Sequence, residues 1–216
     1  MRAVLIDLDE TLYEPGGTLI RSVDARITAF IAIHTGLPWP RADELRRALW
    51  WEFGTTARGL NSRFDLDEGE LHRFAVDSVD PTEHVVPDPA LDEALSRLPA
   101  PCYVFTNATL RYTQRVLAAL GVRDRFSGIF SIEFARYHPK PAPLFYRQVL
   151  ETLALPAEEV VLVEDNARNI APAQAMGMRC VYVGRGPAPE GVVRVASIRD
   201  VPEALGGKRG RREYPR

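Results

Sequence analysis

Cysteine is almost missing: 216 residues contain only Cys102 and Cys180, and each opens an apolar run, Cys102-Tyr103-Val104-Phe105 and Cys180-Val181-Tyr182-Val183. That context predicts two buried thiols and excludes a disulfide-stapled scaffold. The four histidines, at 34, 72, 84 and 138, lack metal-ligand spacing, which argues against zinc chemistry. No charge of one sign dominates. With 27 basic and 29 acidic residues the net charge is -2, so an extended nucleic-acid surface is not expected. No apolar run approaches the roughly 20 residues of a membrane span, and the N-terminus shows no signal-peptide pattern. A cytoplasmic protein with no membrane partner is therefore expected, as a monomer or homodimer. Charge is uneven only in residues 206–216, where Lys208, Arg209, Arg211, Arg212 and Arg216 face Glu213 alone. Glycines interrupt that stretch, so it reads as a basic, disordered tail.

What the chain does have is an ordinary globular balance, 46% hydrophobic and 26% charged, long enough for one core plus a small insert. Residues 3–13 organise the rest. Ala3-Val4-Leu5-Ile6 runs straight into Asp7-Leu8-Asp9, as a buried parallel strand does where its C-terminal end opens onto a site. Strand alternation would put Asp7 and Asp9 on one side and Leu8 on the other. Two carboxylates in one small volume are tolerable if a divalent cation neutralises them or one stays protonated, and both suit phosphoryl transfer. Solvated turn residues would also account for the pattern, because aspartate commonly ends strands.

Beyond Glu14-Pro15-Gly16-Gly17, apolar spacing predicts a helix from Thr18, a second over Arg41–Phe53 with Leu45, Leu49 and Trp50 as its stripe, and a third over Asp67–Ser78. Gly54-Thr55-Thr56-Ala57-Arg58-Gly59 reads as a loop or helix junction. Trp50 and Trp51 read as core of this helical block rather than as base-stacking residues. Residues 16–85 are thus expected to form a small all-helical domain. Strands and helices alternate afterwards: strand Cys102–Phe105, a helix closed by Gly121, strand Ile129–Ile132, helix Pro141–Leu153, strand Val160–Val163, a helix to Met176, strand Cys180–Val183 and an edge strand over Val192–Val195. This order predicts an α/β fold, a doubly wound, mainly parallel Rossmann-like sheet built from residues 1–15 and 86–205, with its site at the strand C-termini.

Three strands then end in polar groups, Asp7/Asp9, Thr106/Asn107 and Glu164/Asp165, and such ends share one edge of a parallel sheet. A hard cation with oxygen ligands, Mg²⁺, fits the carboxylates. Thr106 offers a hydroxyl and backbone N–H groups to phosphate oxygens. Lys140, between prolines in His138-Pro139-Lys140-Pro141, supplies positive charge.

In order and spacing, Asp7-Leu8-Asp9-Glu10-Thr11, Thr106-Asn107, Lys140-Pro141 and Glu164-Asp165-Asn166-Ala167-Arg168-Asn169 resemble the four motifs of the haloacid-dehalogenase-like hydrolases. Phe53–Leu60, Pro87-Asp88-Pro89 and Val104–Asn107 are similar to the pyrimidine 5'-nucleotidase subgroup of that superfamily, although Glu164-Asp165 replaces its more usual pair of aspartates. The resemblance implies a helical cap over residues 16–85 and a Mg²⁺-dependent phosphomonoesterase. It assigns Asp7 as nucleophile, Asp9 as general acid and base, and Thr106 and Lys140 as phosphate-stabilising groups. Metal ligands would be Asp7, the Asp9 carbonyl, Asp165 and Glu164. Substrate contacts are expected from Asn107, Thr55, Thr56 and Arg58, with Asn169 orienting the acidic loop and Thr11 bracing its turn. The expected partner is a small phosphorylated metabolite, first a pyrimidine nucleoside 5'-monophosphate. Alternatives are a sugar-phosphate or phosphoglycolate phosphatase, a phosphomutase, or a non-catalytic binding protein on this fold.

Overall fold

The computed structural model describes residues 1–206, so most of the expected basic tail lies outside the described residues. Six strands, β1 (Ala3–Ile6), β2 (Cys102–Phe105), β3 (Phe126–Phe130), β4 (Val160–Glu164), β5 (Arg179–Val183) and β6 (Val193–Val195), form one parallel sheet in the order β3-β2-β1-β4-β5-β6. β1 and β4 are buried along their whole length, which is why they read as continuous apolar runs. Side-chain alternation sorts them cleanly. Val4, Ile6, Val161 and Val163 enter one core cluster, and Ala3, Leu5, Val160 and Leu162 enter the other. β1 lies where the strand order diverges toward β2 on one side and β4 on the other, so its C-terminal end sits at the switch point where such sheets hold ligands.

Four helices are inserted after β1: α1 (Thr18–Thr35), α2 (Trp39–Phe53), α3 (Thr56–Phe64) and α4 (Glu68–Leu71). They share a small core of their own, centred on Phe30, Ile31, Leu49, Leu60 and Leu71. Leu19, Val23, Val76 and Val79 instead join the main core, so both ends of the insert are anchored in the α/β layer. The expected single helix over Asp67–Ser78 is only partly right. α4 runs into a wider turn over His72–Val76, in which Asp77 N–H donates to the His72 carbonyl five residues back. No helix among the described residues is long and apolar enough to cross a membrane.

The stretch read as a loop or junction, 54–59, is in fact the junction at Gly54-Thr55 followed by the start of α3. Its small residues are a packing requirement. A Cβ on Gly59 would stand 2.7 Å from Leu49 Cβ, so only glycine lets α3 lie directly on α2. Trp50 and Trp51 are not core residues either: they are 42% and 63% exposed, and the α2 face turned inward carries Leu49. Both cysteines are buried and free, as expected.

The remaining helices are α5 (Pro89–Ser96), α6 (Leu110–Leu120), α7 (Pro143–Leu153), α8 (Ala167–Ala175) and the short α9 (Val201–Ala204). Leu91 and Leu95 of α5, Val116, Leu117 and Leu120 of α6, and Val201 of α9 cover one sheet face, and residues of α7 and α8 cover the other. Strand and helix ends coincide with expectation or move by up to three residues, most at β3, which runs Phe126–Phe130 instead of 129–132.

Gly59→Val is expected to overpack the α2–α3 contact and cost about 1–3 kcal/mol. Hydrogen exchange should place the lost protection in the inserted helices, with the sheet unchanged. An unaltered urea midpoint would contradict the close approach.

Candidate active site

Asp7 directly follows β1 on the face that Ala3 and Leu5 share, which aims it at the loop bearing Lys140 and at Glu164, the last residue of β4. Lys140 is almost fully buried and uses all three ammonium donors: 2.8 Å to Asp7 Oδ1, 2.7 Å to Glu164 Oε2 and 2.8 Å to the Phe105 carbonyl. Burial alone would push this ammonium down, but Asp7 and Glu164 hold it above the ordinary lysine range. Its loop is fixed by Asn107, whose amide donates to the Lys140 carbonyl (3.0 Å) and accepts from the Lys140 N–H (2.7 Å). The Lys140–Pro141 peptide is cis.

Oxygens of Asp7, Glu164 and Asp165 lie within 4.8 Å of one another. Burial, then the charge of Glu164, raises Asp7 to about 7 and Asp165 to about 9. Thr11, expected to brace its own turn, donates instead to Asp165 Oδ1 at 3.2 Å. Three hard oxygen donors with one lysine between them leave excess negative charge, and their type and crowding fit a divalent cation such as Mg²⁺.

Asp9 behaves differently from a simple strand neighbour of Asp7. The strand stops at Ile6, Glu10 takes a left-handed conformation (φ 60°), and the turn carries the Asp9 carboxylate toward α6. Its Oδ1 accepts from Tyr13 Oη at 2.6 Å and from Tyr112 Oη at 3.2 Å. Burial raises Asp9 to about 6, against the lowering pull of the two phenols. Sequence reading missed both tyrosines. Tyr13, four residues past Asp9, carried a local signal, whereas Tyr112 is 103 residues away and carried none.

Thr106 is buried, and its hydroxyl accepts from the Ala108 N–H at 3.0 Å while its own N–H belongs to the Phe130 carbonyl. The Leu8, Asp9 and Asn107 N–H groups at the same sheet edge have no acceptor among the described residues.

Residues expected from the inserted helices are placed less simply. Thr55 caps α3 by accepting from Arg58 N–H, and buried Thr56 donates to the Arg46 carbonyl. Arg58 donates to the Tyr137 carbonyl at 3.1 Å, tying α3 to the loop before Lys140. Arg168 lies 4.4 Å from the Trp51 ring centroid and donates to the Trp51 carbonyl. Arg58, His138 and Arg168 line a cavity of about 250 Å³ at this seam. A second cavity, of about 780 Å³, touches Thr11, Tyr13 and Asp165 at the edge of the carboxylate cluster. Asn169 is largely buried, and its carbonyl accepts from Tyr146 Oη at 2.7 Å.

The family model of haloacid dehalogenase-like hydrolases matches residues 1–177, and the chain belongs to that family. The chain is 31% identical over 204 residues to a phosphoglycolate phosphatase of Yersinia pseudotuberculosis, covering 86% of this chain and 82% of that protein. It is 24% identical over 191 residues to phosphate metabolism protein 8 of Saccharomyces cerevisiae, covering 82% of this chain but spanning only 60% of that relative's length. Among solved structures, an HAD phosphatase from Thermococcus onnurineus superposes with a TM-score of 0.66 at 22% identity, covering 97% of this chain and all of that one. L-2-haloacid dehalogenase from Xanthobacter autotrophicus gives 0.64 at 20%, covering 97% and 100%. At these identities the two structures share the fold. The pyrimidine-nucleotidase subgroup is a finer statement than these likenesses carry.

A carboxyl whose folded pKa lies above its ordinary 3.8 stabilises the fold while protonated, and that contribution is lost as pH rises through the folded value. For Asp7 and Asp165 those values are about 7 and about 9. The chelator-treated protein should therefore melt at lower temperature at pH 9 than at pH 6. Added Mg²⁺, which competes with protons for the same oxygens, should raise Tm more at pH 9. A Mg²⁺ shift that is larger at pH 6 would contradict the cluster as a cation site.

Proposed function

We propose that this protein is a Mg²⁺-dependent phosphomonoesterase that works through an aspartyl-phosphate on Asp7. The observation that carries the reading is the division of labour between the two aspartates. Asp7 sits among Lys140, Glu164 and Asp165, whereas Asp9 is turned away from that cluster and kept in a raised pKa range. An Asp7 carboxylate oxygen attacks phosphorus in line, the ester P–O bond breaks, and Asp9 gives its proton to the departing alkoxide. Water then attacks the phosphorus of the aspartyl-phosphate, Asp9 takes the water's proton, and Asp7 and inorganic phosphate are released. The free Leu8, Asp9 and Asn107 N–H groups are suited to the phosphoryl oxygens, Lys140, whose three donors are held by Asp7, Glu164 and the Phe105 carbonyl, contributes positive charge beside them, and Thr106 shapes the Asn107 loop through its bond to Ala108. Asp7, Asp165, the Asp9 carbonyl and Glu164 would hold the cation, which supplies charge neutralisation at the transferring group.

A dehalogenase reading is favoured by the structural likeness to haloacid dehalogenases. A halide leaves without a proton, however, and would have no use for the Asp9 acid or for three clustered carboxylates. Residues 16–85 act in this proposal as a cap over the leaving group, and the compartment is the cytoplasm.

For the substrate, a compact phosphorylated acid such as 2-phosphoglycolate comes first. The 31% identical relative is a phosphoglycolate phosphatase, and Thr55 and Thr56, which a nucleotide base edge would need, are engaged within the protein. A pyrimidine 5'-monophosphate is the second reading, on the resemblance at Phe53–Leu60.

Turnover should vanish with Asp7→Asn, with the fold kept, as judged by circular dichroism and p-nitrophenyl phosphate hydrolysis. Asp9→Asn should lose about 10²- to 10⁴-fold on an alkyl phosphate and much less on the aryl ester, whose leaving group needs little protonation. Wild-type rates from Asp7→Asn would end the mechanism. In a comparison of kcat/KM, 2-phosphoglycolate should exceed UMP, CMP, AMP, GMP and hexose phosphates. A clear preference for UMP and CMP would restore the nucleotidase reading, and turnover of 2-chloropropionate alone would replace both.

A further inference from the structure

Both hydroxyl contacts to Asp9 fall on one oxygen. Tyr13 Oη and Tyr112 Oη donate to Oδ1, at 2.6 and 3.2 Å, from two separate elements: the turn after β1 and the first turn of α6. A carboxyl oxygen offers about two lone-pair sites, and two phenol donors fill them. A proton bound by Asp9 then has its place on Oδ2. We propose that Tyr13 and Tyr112 are positioning residues that assign the two oxygens of Asp9 different tasks, Oδ1 as a fixed anchor and Oδ2 as the oxygen that gives and takes the proton. This inference rests on the phosphomonoesterase reading and deepens it.

The anchor is built from rigid parts. Tyr112 is almost fully buried in the main core, and Tyr13 packs against the same cluster. Tyr112 N–H donates to the Thr109 hydroxyl that caps α6, and that hydroxyl in turn donates to Asp77 Oδ1 at 2.7 Å. Arg115, one turn further along α6, donates to the Asp77 carbonyl, also at 2.7 Å. Asp77 closes the wide turn at the end of the inserted helices, so the position of Tyr112 is set by the insert as well as by the sheet. A carboxyl held at one oxygen by two such donors cannot spin about its Cβ–Cγ bond without breaking both. Its reacting oxygen is therefore oriented before the leaving group departs, which is how pre-paid orientation lowers a barrier. When Asp9 gives up its proton, the new carboxylate keeps both phenol hydrogen bonds, and these strengthen as charge appears.

The test uses Tyr13→Phe, Tyr112→Phe and the double variant, which keep each ring and remove only the hydroxyl. kcat/KM is measured on p-nitrophenyl phosphate and on an alkyl ester, 2-phosphoglycolate or UMP, whichever the wild type turns over faster. The double variant should lose about 10- to 100-fold on the alkyl ester, a fraction of what general acid catalysis supplies, and less than about threefold on the aryl ester. Each single variant should shift the alkyl-to-aryl ratio in the same direction, so Tyr13→Phe carries the test alone if Tyr112→Phe lowers the melting temperature. In an Asp9→Asn background the same substitutions should leave that ratio where Asp9→Asn put it. Equal losses on both esters, or a further shift of the ratio in that background, would overturn the inference. If Asp9→Asn is alkyl-selective and the tyrosine variants are not, this inference fails and the phosphomonoesterase reading stands. If the wild type hydrolyses no phosphomonoester, both fail.

Discussion

The buried ammonium of Lys140 is the interaction on which the rest of the site depends. Asp7, Glu164 and Asp165 cannot share a volume a few ångströms across as three free charges, and Lys140 is the cation among the described residues that bonds two of them. Removing one partner from such a buried set typically costs about 3–5 kcal/mol, because the others are left uncompensated. Even with the lysine in place, Asp7 and Asp165 stay well above the usual carboxylate range. The fold thus stores an electrostatic deficit at the point where the sheet opens, and a cation or a proton relieves it.

That arrangement ties the architecture to the chemistry. Glu164 ends β4, Phe105 ends β2, and Asp7 follows β1 between them, so the parallel register itself sets the spacing of the groups around the lysine. Asn107 carries the register to the Lys140 loop through its paired backbone hydrogen bonds. The inserted helices press on the same loop. A Cβ at Gly54, where φ is +85°, would stand 2.6 Å from the Lys140 carbonyl, so the α2–α3 junction lies directly against the backbone of Lys140. With Arg58 on the Tyr137 carbonyl, any displacement of the helices would be felt at that loop, and Arg168 on the Trp51 carbonyl ties α2 to α8 as well.

The inserted helices also show how composition misleads. Gly54–Gly59 looks too small and polar for a helix core, yet four of its six residues are helix, because small residues are what two helices in contact demand. Trp50 and Trp51 look like core, yet adjacent positions on a helix face different directions, and the inward direction belongs to Leu49.

By itself the sequence determined the alternation of strands and helices, the parallel sheet, and the identity of the charged groups at the strand ends. Those properties follow from local signals: apolar runs that must be buried on both faces, glycines and prolines that stop helices, and carboxylates immediately after a strand. Only the tertiary structure decided how the two aspartates differ. Strand alternation assigns Asp7 and Asp9 to one side, but the strand stops at Ile6, and in the turn that follows the Asp9 carboxylate meets Tyr13 and Tyr112. It also decided that Asn107, Thr55 and Thr56 spend their polar groups on the protein backbone and that Thr11 reaches across to Asp165. A hydrogen bond depends on where two chain segments come to rest relative to each other. Residue type tells which groups can make one, and packing alone tells which group each of them meets.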